Sequence, residues 1–131
     1  MTENPDGELV VRRGVESDLL AVLRILEGAM LKVGANQIRT RTETGEVLVA
    51  ERDGRVVGAL VRDGDHVEAV AVHPDRRGAG IGTTLIEAVL AETGRVTVEF
   101  REEVQPFYEA LDFEIEAQEG KEQLWGERCQ Q

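Results

Sequence analysis

The apolar positions of this chain change period several times, and each change marks an element. Residues 8 to 14, ELVVRRG, are a short apolar run with β-branched members, which predicts an edge strand. From Leu19 the period becomes helical: Leu19, Val22, Leu23, Leu26 and Met30 recur at helical spacing, with Ser17 in the N-cap position ahead of Asp18. Residues 32 to 44, KVGANQIRTRTET, are polar and weakly patterned. They read as a loop or a short helix, the kind of segment that borders a substrate in many enzymes. The period then falls to two. In GEVLVAERDGRVVGALVRDGDHVEAVAVHP, three β-rich runs at about 46–51, 55–62 and 66–73 are separated by Asp-Gly pairs, the local signature of hairpins. A helical run after Gly82 puts Leu85, Ile86, Val89 and Leu90 on one face and stops at Gly94, a residue suited to closing a helix. RVTVEF alternates as a further strand, residues 104–111 predict a short helix opened by Pro106, and FEIEAQ with EQLWGE pair as two last strands.

The order β, α, three β, α, β, α, β, β predicts an α/β fold with one mixed, mostly antiparallel sheet flanked by helices. At 131 residues, without repeats, low-complexity tracts or linkers, the chain reads as one domain spanning residues 1–131. No stretch approaches the ~20 apolar residues of a membrane span, and MTENPDGELV has neither a basic patch nor an apolar core. The expectation is a soluble cytoplasmic protein without a membrane partner. Cys129 is the one cysteine, which removes internal disulfides and cysteine-based metal sites, so no metal is expected. Acidic residues outnumber basic ones 26 to 15, giving a formal net charge of −11. Such a surface repels nucleic acid.

The chemistry concentrates in HPDRRGAGIGTTLIEAVL, residues 73–90. A strand that ends in a glycine-rich turn feeding a helix presents unpaired N–H groups at the positive end of the helix dipole, which makes an anion site. Glycines at 78, 80 and 82 remove Cβ atoms that would hold a phosphate away from the backbone and permit positive φ. The alternative is close packing of helix on sheet. The dinucleotide fingerprint fails because Thr83 stands where its last glycine belongs, and the P-loop fails for want of Gly-Lys followed by Ser or Thr.

VAVHPDRRGAGIGTTLIEAVL resembles the acetyl-CoA-binding segment of the GNAT N-acetyltransferase superfamily. Arg77, Gly80 and Gly82 fill its pattern of Arg or Gln, two residues, Gly, one residue, then Gly or Ala, and PFYEALDFEIE resembles the family's late aromatic segment. The specific likeness covers residues 67–117; the N-terminal half agrees only in element order. The resemblance implies acetyl-CoA as cosubstrate, with its pyrophosphate on Arg77, Gly78, Ala79, Gly80, Ile81, Gly82 and Thr83. The pantetheine arm would pair with main-chain groups of Val70, Ala71 and Val72. Arg76 reaches either the 3′-phosphate or solvent, and His73, before Pro74, reads as structural.

Acetyl transfer to a primary amine needs a neutral amine, stabilisation of the oxyanion and a proton for the departing thiolate. Tyr108, the only tyrosine, stands at the family's general-acid position; the alternative is a core or interface tyrosine, since PFYEALDF also reads as an amphipathic helix that buries Phe107 and Leu111. His66, Glu68, Val70 and Val72 alternate onto one face, so either His66 or a Glu68–water pair could take the proton, the alternative being a solvated strand face. The resemblance implies an oxyanion donor among the strand amides near Val72. Asp112 replaces a common family glycine, and Arg101 stands where many relatives carry an Asn. These departures leave open an acyl-CoA-binding regulatory or interaction protein of the same fold with weak or no catalysis. The acceptor is a small-molecule or protein amine, cationic given the surface charge. Trp125 anchors a homodimer or caps its own core, and the sequence leaves that open.

Overall fold

A computed structural model describes residues 7–130. Seven strands form one sheet in the order β1-β2-β3-β4-β5-β7-β6, comprising β1 (Val10–Arg13), β2 (Val47–Arg52), β3 (Arg55–Asp63), β4 (His66–Val72), β5 (Arg95–Phe100), β6 (Glu114–Ala117) and β7 (Leu124–Cys129). Every neighbouring pair is antiparallel except β4 with β5. Helices α1 (Leu19–Gly28) and α2 (Ala35–Glu43) pack on one face against β2, β3 and β4. On the other face α3 (Ile81–Thr93) packs along β1 to β5, with α4 (Gln105–Ala110) beside it against β6. Two cores result. Val22, Leu26, Ile38, Val49, Ala59 and Val61 fill the α1–α2 side, and Leu60, Ile81, Leu85, Ile86, Val89 and Val98 fill the α3 side.

The local reasons agree with the sequence at most joints. Asp53 and Gly54 both take positive φ, 53° and 77°, as a two-residue type I′ hairpin requires. Gly94 caps α3 at φ 78°, its N–H donating to the Leu90 carbonyl at 2.8 Å. Asp112 sits at φ 62°, the left-handed conformation expected at the place of the missing glycine. Residues 35–43, ambiguous by pattern, form α2, because Ile38 supplies one fully buried anchor on an otherwise polar helix.

The entry to α1 differs from the expected Ser17 cap. A 3-10 turn at Glu16–Asp18 precedes the helix, and Asp18 ties it down: its carboxylate accepts from the Val15 N–H at 2.8 Å and from both terminal nitrogens of Arg12 at 2.8 and 3.0 Å. Arg12 holds the Asp18 carboxyl below its usual range. Among the described residues no helix is long and apolar enough to cross a membrane.

Candidate functional site

β4 and β5 are parallel neighbours in register at two places only, His66 opposite Thr97 and Val67 opposite Val98. Beyond them the strands part, so a cleft opens whose closed end is His66 and whose mouth lies toward Val72. The hydrogen-bond alternation of an antiparallel pair decides which groups face it. His73 N–H donates to the Val57 carbonyl of β3 at 2.8 Å. Two residues back, Ala71 also turns its main chain to β3, while Val70 and Val72 turn theirs the other way, into the cleft. Of the expected Val70, Ala71 and Val72, the first and last turn main-chain groups to the cleft, while those of Ala71 are taken up by β3.

A β-bulge sets the side chains. Val61 pairs with Ala69 and Arg62 with Val67, which leaves Glu68 as the extra residue on β4. The bulge shifts the alternation by one. Val67, Val70 and Val72 pack toward the α3 core, whereas Ala69 and Ala71 belong to the α1–α2 core. His66 and Glu68 lie on that α1–α2 side, His66 bonded to Thr97 and Glu68 to Arg41 of α2. The expectation that His66, Glu68, Val70 and Val72 share one face is thus overturned: the two titratable groups face one side of the cleft and the two valines the other.

Glu68 is held by Arg41 Nε at 2.9 Å and by Nη2 at 3.0 Å. This bidentate contact lowers the Glu68 carboxyl below its usual range, against a smaller opposing effect of burial. His66 Nδ1 lies 2.8 Å from Thr97 Oγ1, and its ring stacks on Trp125 at 5.5 Å between centroids and 16° between planes. Trp125 is half-buried against a residue of its own chain. Beside it on the same face, Glu99 accepts from Gln118 at 3.0 Å and Lys121 at 3.2 Å.

At the mouth, Pro74–Arg76 form one 3-10 turn, in which His73 Nδ1 accepts from the Asp75 N–H at 3.1 Å. The structural role expected of His73 is what this contact provides. The glycines then divide their work. Gly78 and Gly80 take φ 84° and 78°, and a Cβ at either would meet nothing within 4 Å, so conformation explains them and packing does not. Gly82 is a packing glycine, since its Cβ would lie 3.2 Å from the Phe107 ring. Gly80 caps α3, and the next amides, of Ile81, Gly82 and Thr83, stand in the first turn, where a helix supplies no acceptor. Arg77 is exposed and Arg76 half-buried, and among the described residues neither enters an ion pair. Arg76 instead lines a hollow of about 300 Å³ with Arg55, Val56, Val57, His73 and Asp75.

Tyr108 lies at the centre of an aromatic cluster, stacked on Phe100 at 4.4 Å and edge-on to Phe107 and Phe113 at 4.9 and 5.1 Å. It is 3% exposed, and burial pushes its phenol well above the usual range. Among the described residues its hydroxyl has no hydrogen-bond partner. Arg101 Nη2 donates to the Ala29 carbonyl at the end of α1, 3.4 Å. Thr97, Trp125 and Arg41 were not singled out for the site by sequence. A buried threonine inside an alternating strand carries no local mark, and the Arg41–Glu68 contact joins residues far apart in the chain.

The site can therefore hold an anion at the turn, accept an extended amide-bearing chain along β4, and present polar groups at the closed end. A larger concavity of about 760 Å³ lies elsewhere, between α3 and β7, but Glu87, Asp112, Glu114 and Glu127 line it against the single cation Arg128, and an excess of carboxylates repels a phosphate. Among the described residues no group of three or more His, Cys, Asp or Glu side chains is placed to hold a metal ion.

Comparison with known proteins bears on the family and the fold. Residues 43–115 match the acetyltransferase (GNAT) domain family. The chain is 36% identical over 110 residues to the glucosamine 6-phosphate N-acetyltransferase of Trypanosoma brucei brucei, covering 76% of this chain and 69% of that protein. It is 35% identical over 72 residues to the peptidyl-lysine N-acetyltransferase YjaB of Escherichia coli K12, which is 53% of this chain and spans only 48% of that protein's length. Among solved structures, yncA from Salmonella typhimurium, determined with its cofactor acetyl-CoA, matches with a TM-score of 0.74 at 17% identity, over 94% of both chains.

Proposed function

Because the chain belongs to the GNAT acetyltransferase family, we propose that it moves an acetyl group from acetyl-CoA to a primary amine by direct attack of the amine. The observation that carries the reading is the parting of β4 from β5 after Val67, with main-chain groups of Val70 and Val72 turned into the gap and a positive-φ glycine turn at its mouth. A diphosphate fits that turn on two counts. Gly78 and Gly80 leave its approach free of Cβ atoms, and the first amides of α3 lack acceptors.

Bound acetyl-CoA supplies an activated thioester; the chain's own residues do the rest. The amides of Gly80, Ile81, Gly82 and Thr83, with Arg77, hold the diphosphate, and Ala79 shapes the turn. Val70 and Val72 pair with the pantetheine amides as one strand pairs with the next, and an amide of this pair faces the oxygen on which negative charge develops. Ala71 contributes packing alone. Net charge of −11 does not forbid this polyanion, because at about 0.15 M salt the Debye length is about 8 Å and local amides and arginines dominate at contact.

The amine arrives at the closed end, between Glu68 and His66. Glu68, kept ionised by Arg41, draws an ammonium group and passes its proton to water. Tyr108, kept protonated by burial, is the general acid that returns a proton to the departing thiolate. The acceptor is cationic, such as a polyamine, an aminoglycoside-like compound or a protein lysine, in keeping with the acidic surface and with relatives named for peptidyl-lysine and glucosamine 6-phosphate. The test is thermal stability with CoA followed by mass-spectrometric detection of CoA release from acetyl-CoA with pooled amines. A raised melting temperature with release for at least one amine supports the enzyme. A raised melting temperature without release for any amine replaces it with an acyl-CoA-responsive binding protein of the same fold.

A further inference from the structure

A buried hydroxyl lies against one nitrogen of the histidine at the closed end of the cleft, and counting hydrogens there decides which nitrogen is left for substrate. Thr97 is 3% exposed. Its Oγ1 lies 2.8 Å from His66 Nδ1, the only hydrogen-bond partner of that hydroxyl among the described residues. Two arrangements satisfy the distance. If a protonated Nδ1 donates, the threonine oxygen accepts and its own hydrogen is left in a buried place without an acceptor. If the hydroxyl donates to a bare Nδ1, both groups are satisfied, and the proton of the neutral ring sits on Nε2. Leaving a buried donor unmatched lowers the population of the first arrangement about tenfold or more.

The rest of the ring is also constrained. Trp125 covers one of its faces at 5.5 Å, and the backbone of His66 is fixed by its register opposite Thr97 on β5 and Asp63 on β3. With Nδ1 taken and one face covered, the Nε2–H is the polar atom this half-buried side chain has to offer. We propose that Thr97 is a positioning residue that holds neutral His66 as the Nε2–H tautomer, so that His66 meets the bound substrates as a hydrogen-bond donor to an oxygen and not as the base that deprotonates the amine. The inference rests on the acetyl-transfer reading for its catalytic half and on geometry alone for the tautomer. It divides the closed end of the cleft: Glu68 and water handle the amine's proton, and His66 fixes an oxygen.

The tautomer is read from ring-nitrogen correlation spectra of 15N-labelled protein at a pH where His66 is neutral. The expected spectrum has Nδ1 as the unprotonated nitrogen and Nε2 as the protonated one, with a Thr97 hydroxyl proton protected from exchange. Thr97→Ser keeps this pattern. Thr97→Val, which matches the shape without the hydroxyl, loses the protected proton and raises the Nδ1–H population several-fold. A wild-type ring with its proton on Nδ1 overturns the inference. With an acceptor that is turned over, His66→Gln, whose amide N–H can stand where Nε2–H does, keeps at least tenfold more kcat than His66→Ala. Equal loss in the two variants overturns the donor role, because a base is abolished by both. Thr97→Val lowers kcat about tenfold and Thr97→Ser restores it. The ring spectra decide the tautomer whether or not any amine is acetylated, so failure here and failure of the acetyl-transfer reading are told apart.

Discussion

Gly58 of β3 lies directly under the start of α3, and replacing it by alanine tests how the sheet positions the glycine turn. A Cβ there would stand 2.7 Å from Ile81 Cγ2 and 3.2 Å from Leu85 Cδ1, with the Ala71 carbonyl at 3.4 Å. Carbon atoms rest at about 3.5–4.0 Å, so the methyl group demands roughly 1 Å of retreat from Ile81. Ile81 cannot give by rotation alone: it is β-branched, 1% exposed, and the first residue of α3. The helix start must lift, and the amides of Ile81, Gly82 and Thr83 lift with it. Overpacking of this kind costs about 1–3 kcal/mol. The expected outcome of Gly58→Ala is a lower urea midpoint with unchanged slope and, by calorimetry, at least a tenfold loss of CoA affinity. In the double variant Gly58→Ala with Ile81→Ala, the new methyl occupies part of the space Ile81 vacates, so the pair destabilises by less than the two single changes added. A Gly58→Ala protein within about 0.5 kcal/mol of wild type, or strictly additive losses, would show that Ile81 does not crowd this position.

Three further outcomes follow from single contacts. Tyr108→Phe removes a hydroxyl without a partner among the described residues, so the melting temperature holds while kcat falls about 100-fold at unchanged CoA affinity; unchanged kcat excludes Tyr108 as the acid. Arg76→Ala weakens CoA but leaves dephospho-CoA binding as it was, if the hollow it shares with Arg55 and His73 receives the 3′-phosphate; equal weakening of both ligands rejects that assignment. Asp18, whose carboxyl Arg12 holds below its unfolded value of ~4, contributes stability above pH ~4 that is lost as pH falls through the lower folded value. Urea midpoints should therefore drop below pH 4, and Asp18→Asn, costing about 2 kcal/mol near neutrality, should flatten that drop; an unchanged acid limb in the variant contradicts the sign.

What was legible in the sequence is what local chemistry encodes. Asp53-Gly54 declares its hairpin because both residues must take positive φ, and Gly78 and Gly80 declare their turn for the same reason. The apolar faces of α1 and α3 were legible because burial on a sheet demands the helical period. The bulge at Glu68 was not: the letters of β4 alternate straight through it, and only pairing with β3 reveals that one residue is surplus. That surplus moved His66 and Glu68 away from Val70 and Val72. The parting of β4 from β5 is likewise a property of two strands separated by a whole helix. Asp18 rather than Ser17 secures α1 because Arg12, on a different element, supplies its partner. Gly82, equal to its neighbours in the sequence, differs from them only because Phe107 of α4 lies against it.

Acetyl transfer by this chain depends above all on main-chain hydrogens at the start of α3 binding the diphosphate of the acetyl donor. A backbone amide spectrum recorded during titration with CoA tests it residue by residue. The largest shifts are expected at Gly80, Ile81, Gly82 and Thr83, then at Val70 and Val72, with Ala71 and the residues lining the hollow between α3 and β7 far less affected. Saturable binding that leaves the four amides of the turn unmoved, or no binding at all, would contradict it.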